Sequence, residues 1–442
     1  MRAVEGTRVW LRVVAVLLLL GSVRAAARAA GPPEEEAQPQ PESPPRRWPV
    51  FFDVQWDDGV VYEAGRRFRA PGPEAMHLFR EDTLVTGRAG LQLQLDAGVF
   101  ASTGGLSVPG PRADVRRGYV SFAGEVRTRW PVQYKVKLGA NQGRIYVDSA
   151  WLALADLPHD LRLQVGQYDP PYSLENTTSS DALAFLELAQ PVDAFVPGTK
   201  AGIGLSQGGG TRRVAWSFGY YASTQAPDVQ NETRSPAWLV GRVTWVPAWL
   251  DEPADDRLVH LGLGMAYVVS SGAQVRYTAR PETRLLPDVL DTGDIDASQT
   301  WEQEAELAFV RGRWRVQGEY LGSEVDARGG SRLYWGVYGL ASYMLTGEHY
   351  PYDRAAGCFD MVVPASPVSP RAGRWRGAWE VAVRHSYLDL HGGGRDHALS
   401  LGVNWYWSRH LRLMLDYGVT LTRGLPHDGS IDVFQTRLQV VY

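Results

Sequence analysis

The stretch SQGGGTRR, residues 206–213, is where this sequence comes nearest to a phosphate cradle. Such a cradle needs a following Lys-Ser/Thr and a helix whose N–H groups point at the anion. Neither follows, and three glycines between alternating segments describe a hairpin turn instead. The single cysteine, Cys358, has no partner for a disulfide and no Cys-x-x-Cys spacing for zinc or redox work. Of the nine histidines, His385, His391 and His397 come closest together, but a Gly-rich turn intervenes, so they read as loop histidines rather than metal ligands. Carboxylates are spread evenly along the chain, and no Ser/His or acidic dyad is singled out as a general acid–base pair. No catalysis, metal or cofactor is expected.

The charged residues gain meaning from the elements that must carry them. WEQEAELAF, residues 301–309, sets Trp301, Ala305, Leu307 and Phe309 against Glu302, Glu304 and Glu306. RWRVQGEYL, residues 313–321, sets Trp314, Val316 and Tyr320 against Arg313, Arg315, Gln317 and Glu319. HALSLGVNWYW, HLRLMLDYGVTLT and the terminal FQTRLQVVY repeat the pattern. A period of two means strands with one apolar and one polar face. About sixteen such segments, most about 10 residues long, run from Val85 to Tyr442, the length a tilted strand needs to cross a bilayer.

Two architectures hide or use such a face: a soluble sandwich or propeller, and a transmembrane antiparallel β-barrel. Three features favour the barrel. Lys135, Lys137, Glu380 and Arg384 on polar faces suit a wet interior, and Trp130, Trp245, Trp249, Trp405, Trp407 and Tyr442 gather at strand ends as interfacial girdles do. Tight links near Gly312 and Ser408 contrast with a long one at residues 364–374, as expected of short turns on one rim and long loops on the other. The terminal strand is expected to close the cylinder against the first.

Ahead of the barrel, Arg2, Arg8 and Arg12 precede the apolar run VVAVLLLL and small residues to Ala30, the pattern of a signal peptide over residues 1–30. Residues 31–50 are a Pro/Glu-rich disordered linker, and residues 51–84 a hairpin or lead-in segment around Asp57-Asp58-Gly59. Export removes five Arg and one Glu, leaving 40 basic and 48 acidic residues, which argues against a nucleic-acid partner.

Several collinear stretches resemble the phosphate-selective porin O and P family of outer-membrane porins: VRRGYVSFAG (residues 115–124), VGQYDPPYSLENTTSSDALAFLE (165–187), GAWEVAVRHSYLDL (377–390) and LGVNWYWSRHLRLMLDY (401–417). The resemblance implies a barrel of about 16 strands with an inward-folded constriction loop, a homotrimer in outer-membrane lipid, and passive uptake of small solutes, phosphate and other anions among them. Arg116 and Arg117 match the family's arginine pair, Asp148 an acidic residue near the constriction, and Arg276, Arg280 and Arg284 a loop arginine ladder. Consecutive strand residues face opposite ways, so at most one of Arg116 and Arg117 lies squarely in the lumen unless the strand is bulged there or the pair lies beyond the membrane. Even spacing keeps the three loop arginines on one side of an extended loop. In the constriction segment, Asn176 and Asp181 stand where phosphate-preferring members carry lysine, and Leu188, after Glu187, where they carry arginine. Gln92 and Pro131 replace two further cations. Together with Glu302, Glu304, Glu306 and Glu380, these departures imply weakened phosphate selectivity. The alternatives are a soluble exported binding module, and a barrel acting as adhesin or enzyme through its loops.

Overall fold

The computed structural model describes residues 85–442 except 142–143, 209–211, 224–236, 250–256, 328 and 425–427. Before residue 85 it describes only Val60–Glu63, paired antiparallel with Arg66–Arg69, and Met76–His77, paired with the first long strand. The expected leader, the linker and the turn at residues 57–59 lie outside the described residues, as does the side chain of Trp249.

Sixteen long strands form one closed antiparallel barrel. They are β1 (Val85–Ser102), β2 (Arg112–Val126), β3 (Val132–Asn141), β4 (Arg144–Leu157), β5 (Leu161–Tyr168), β6 (Lys200–Gln207), β7 (Val214–Ser223) and β8 (Ala237–Trp249), then β9 (Arg257–Val275), β10 (Ile295–Arg311), β11 (Trp314–Ala327), β12 (Gly330–Met344), β13 (Ala378–Asp389), β14 (Arg395–Tyr406), β15 (Leu411–Arg423) and β16 (Gly429–Val441). Closure is direct. β16 pairs with β1 from Ile431–Ser102 to Val441–Gln92, and Tyr442 exchanges both backbone hydrogen bonds with Leu91 at 2.7 Å. Among the described residues, the sixteen barrel strands leave no edge to pair with another chain.

The period-two pattern sets two solvents apart, with the usual sides reversed. Along β10, Glu302, Glu304 and Glu306 are buried, while Leu307 is 54% exposed and Trp301 43%. Leu263, Met265, Phe218, Val316, Leu399 and Leu438 are exposed in the same way on their strands. A continuous apolar outside is stable against hydrocarbon and not against water, which removes the soluble-sandwich alternative. Aromatics mark the rims of this band. Trp314 meets Tyr343 at 4.6 Å, Trp379 stacks on Trp405 at 4.9 Å and His410 stacks on Tyr442 at 4.4 Å near one end. Tyr267–Trp301 and Trp335–Tyr387 pair toward the other.

One expectation is corrected. The long connection that includes residues 364–374 joins β12 to β13, so it leaves from the same rim as the tight turns at Gly312 (β10–β11) and Ser408 (β14–β15). It is ordered by its own short pair, Tyr352–Asp353 with Cys358–Phe359. Its Tyr350, Tyr352, Phe359 and Val362 form an apolar cluster with Val246, Leu258, Met344 and Tyr406 of the strands and with Leu174. That core, not a solvated extracellular position, sets its length.

Candidate functional site

The arginine pair sits on a β-bulge. Arg117 lies opposite Gln94 and Val115 opposite Leu95, so Arg116 is an extra residue in β2. The bulge turns both guanidinium groups to the buried side of the wall. Arg117 donates to Gln94 Oε1 at 2.8 Å, and Arg116 donates twice to Glu187, at 2.7 and 3.1 Å. Arg437 of β16 reaches the same carboxylate at 2.7 Å while gripping Asp96 of β1 through two further bonds of 2.7 Å. Arg284 approaches Glu187 at 3.9 Å. Burial alone would raise the Glu187 carboxyl, but Arg116, Arg437 and Arg117 outweigh it and hold it well below the usual carboxylate range.

Glu187 belongs to the segment between β5 and β6, which carries two short helices, α1 (Leu174–Thr177) and α2 (Gln190–Phe195). Irregular backbone away from water needs partners for every N–H and C=O. Polar side chains from the buried strand faces supply them. The N–H groups of Leu174 and Glu175 donate to Glu319 at 3.0 and 2.8 Å, and that of Leu186 to Asp416 at 2.8 Å. The carbonyl of Asp181 accepts from Arg412 at 3.2 Å and Gln439 at 3.1 Å, that of Ala184 from Asn404 at 2.8 Å, and that of Glu187 from Arg384 at 3.0 Å. Arg437 also donates to the Leu186 carbonyl. Asn176 is half-buried in α1, its N–H taken by Ser173 Oγ at 3.2 Å and its amide aimed at the Tyr172 carbonyl. Asp181 is buried, within electrostatic reach of Lys135.

Arg384 and Glu380, expected in a wet interior, are each about 1% exposed. Arg384 bridges Glu175 at 3.0 Å and Glu282 at 2.9 Å; Glu380 accepts from Arg315, Asn404 and Tyr406. They are part of the brace for the segments packed over them. Burial raises the Glu175 carboxyl, with Arg384 opposing. Lys135 and Lys137 keep partial exposure.

The other expected residues are each found with a counter-charge. Asp148 is also an extra residue, in β4, and meets Lys137 at 3.0 Å. The segment holding Arg276, Arg280 and Arg284 is not extended: Thr278–Ala279 pairs with Leu290–Asp291. Arg276 therefore faces Asp291 at 2.9 Å, Arg280 faces Asp288 at 3.0 Å, and only Arg284 reaches the Glu187 cluster. Arg280 and Arg284 share Asp193 of α2, whose carboxyl burial nonetheless raises.

Sequence reading missed Arg437, Asp96, Glu175, Glu282 and Arg412. Arg437 and Asp96 both fall on polar positions of alternating strands, so their side was legible; their pairing across barrel closure was not. Sequence reading also passed over Gly204-Leu205-Ser206-Gln207-Gly208, which has the Gly-x-Ser-x-Gly spacing of a nucleophile elbow. Here Ser206 lies in a straight β6, opposite Ser217 and Arg162, so there is no strand-to-helix turn to make it a nucleophile. His385 and His397 are not loop residues: they lie on β13 and β14, ring centroids 5.7 Å apart on the exposed face. Cys358 is buried in the β12–β13 connection, its thiol pushed up to about 12 by burial.

A family model described as phosphate-selective porin O and P matches residues 88–442. The chain is 24% identical over 370 residues to Porin O of Pseudomonas aeruginosa, covering 74% of this chain and 81% of that protein. It is 25% identical over 426 residues to an uncharacterized protein of Caulobacter vibrioides, covering 90% and 79%. Among solved structures it resembles an anion-selective porin from Comamonas acidovorans at 12% identity and a TM-score of 0.52, over 81% of this chain and 100% of the other.

Proposed function

The chain belongs to the phosphate-selective porin O and P family of bacterial outer-membrane barrels, and from that premise we propose that it lets small hydrophilic solutes diffuse passively, with an anion preference weaker than that of a lysine-throated relative. One observation carries this reading: most of the candidate arginine forks are already filled by carboxylates, Arg117, held by the neutral Gln94, being the exception. Arg116 and Arg437 hold Glu187 and Asp96, Arg384 holds Glu175 and Glu282, and Arg276 and Arg280 each face an aspartate. Arginine selects phosphate by donating two parallel N–H bonds. A fork bound to a carboxylate offers a passing anion only the remainder of its field. The loop from Pro170 to Pro197 narrows the passage from within; its hydrogen bonds to the buried faces of β11, β13, β14, β15 and β16 support that placement. The homotrimer, the leader to residue 30 and the linker to residue 50 belong to the same proposal.

The test is reversal potential in planar bilayers under a salt gradient, followed by phosphate titration. Channel steps with a modest anion preference and no block by low phosphate are expected. Tight phosphate block would overturn the selectivity reading, and absence of channel steps the porin reading.

A further inference from the structure

Opposite the arginine cluster, the barrel wall gathers oxygen atoms without enough cations. Glu302, Glu304 and Glu306 project from one face of β10, and Glu319 lies opposite Glu306 on β11. All four are at most 4% exposed. Their floor is β9, where Gly262 and Gly264 leave room for them: a Cβ on Gly264 would stand 2.2 Å from Glu304 Oε1.

Two of the four are satisfied by protein. Glu306 accepts two bonds from Arg242, at 2.7 and 2.8 Å, and faces His260 at 2.7 Å. Glu319 accepts the α1 N–H groups and the Tyr338 hydroxyl at 2.6 Å. The other two are not. Both carboxylate oxygens of Glu304, and both of Glu302, are buried with no N–H or hydroxyl donor to satisfy them; Glu304 lies against the Glu306 carboxylate, and the Arg242 Nε stands 4.0 Å from it. An independent element adds a fifth oxygen donor. Tyr172, immediately before the Ser173 cap of α1, is fully buried, its hydroxyl is unpartnered, and it lies within electrostatic reach of Glu302, Glu304 and Glu306.

We propose that this pocket binds a hard divalent cation of the calcium type, ligated by Glu304, Glu306 and Glu319 with the Tyr172 hydroxyl beside them. Oxygen atoms of the three glutamates lie within 4.8 Å of one another, the spacing that one ion at about 2.4 Å from each can bridge. Carboxylate oxygens carry spare lone pairs, so Glu306 and Glu319 can ligate while keeping their present partners. Charge points the same way. Fully ionised, the four carboxylates exceed Arg242 and Lys200, which lies beside Glu302, by two charges, a difference that bound protons or a single divalent ion can make up. Buried anions lacking a counter-charge are costly enough that a bound cation would stabilise this wall. The ion would tie α1 to β10 and β11, fixing one end of the segment that carries Glu187.

The full chain, refolded in detergent without lipopolysaccharide, is titrated with terbium, with luminescence excited through nearby aromatic rings and calcium as competitor. One saturable, calcium-displaced site is expected, weakened at least about tenfold in Glu304→Gln and about threefold in Tyr172→Phe. EDTA is expected to lower the thermal denaturation temperature of the wild type and leave that of Glu304→Gln unchanged. A wild type that neither holds terbium nor responds to EDTA overturns the proposal, as does terbium binding that survives both substitutions. Because Tyr172→Phe leaves every carboxylate in place, the proposal remains testable even if Glu304→Gln fails to fold. Channel activity is not the readout, so the result stands apart from the transport reading.

Discussion

Glu187→Gln should move the channel toward anions by an amount that the geometry sets. The carboxylate is the hub of Arg116, Arg437 and Arg284. Neutralising it releases one net positive charge at the same place without removing an arginine. An ion passing about 7 Å from a unit charge in water-like surroundings feels about 0.6 kcal/mol. The change favours the anion and opposes the cation by that amount, so the permeability ratio shifts by about 1.2 kcal/mol, or about sevenfold, in dilute salt. At about 0.1 M the Debye length is about 10 Å and the shift falls to about threefold. The fold should survive, because Arg437 keeps both bonds to Asp96 and the glutamine oxygen can still accept from Arg116. Reversal potentials at two ionic strengths, on protein that still shows a heat-modifiable barrel, measure both the shift and its salt dependence. An unchanged ratio, or one that moves toward cations, would mean that ions do not pass this cluster.

The same carboxylate predicts a pH effect on stability. Its folded value lies well below the ordinary 4.5, so its contribution is present above that value and fades as pH falls through the folded one; the stability gap between wild type and Glu187→Gln should shrink on acidification, as seen by thermal denaturation at pH 7 and 3. Gly166 has φ 139°, and a Cβ there would meet the Ala150 carbonyl at 2.2 Å and Trp151 Cα at 2.6 Å. Gly166→Ala should therefore cost at least about 1–3 kcal/mol from backbone strain alone, read as a lower denaturation temperature. Cys358, buried with its thiol near 12, should resist maleimide at pH 8 in the folded barrel and react fully once denatured; prompt labelling of folded protein would show the β12–β13 connection to be open.

The wall was legible because a strand in a two-solvent setting repeats every two residues, and β10 obeys that rule almost without fault. Strand number and closure followed from it. What the wall encloses was not legible. Arg384 and Glu380 look like solvated pore residues by parity, yet they brace chain segments packed on top of them, and parity says nothing about what covers a face. The arginines of residues 276–284 looked like a ladder because spacing reveals periodicity but not the counter-charge folded against it; Asp288 and Asp291 return on the same short hairpin. Glu187 could be placed in the segment between β5 and β6 from resemblance. That its partner is Arg437, 250 residues later, depends on how the cylinder closes.

Arg116 and Asp148 are both supernumerary in their strands, and both are charged. Removing an ordinary residue from a β-wall transposes everything up to the next turn, sending grease inward and charge into lipid. A supernumerary residue is the exception, since excising it only restores an unbroken ladder. These two positions are therefore places where the inventory of charges on the wall can change by one without rewriting the frame of the strand, and shortened chains lacking either residue should still insert.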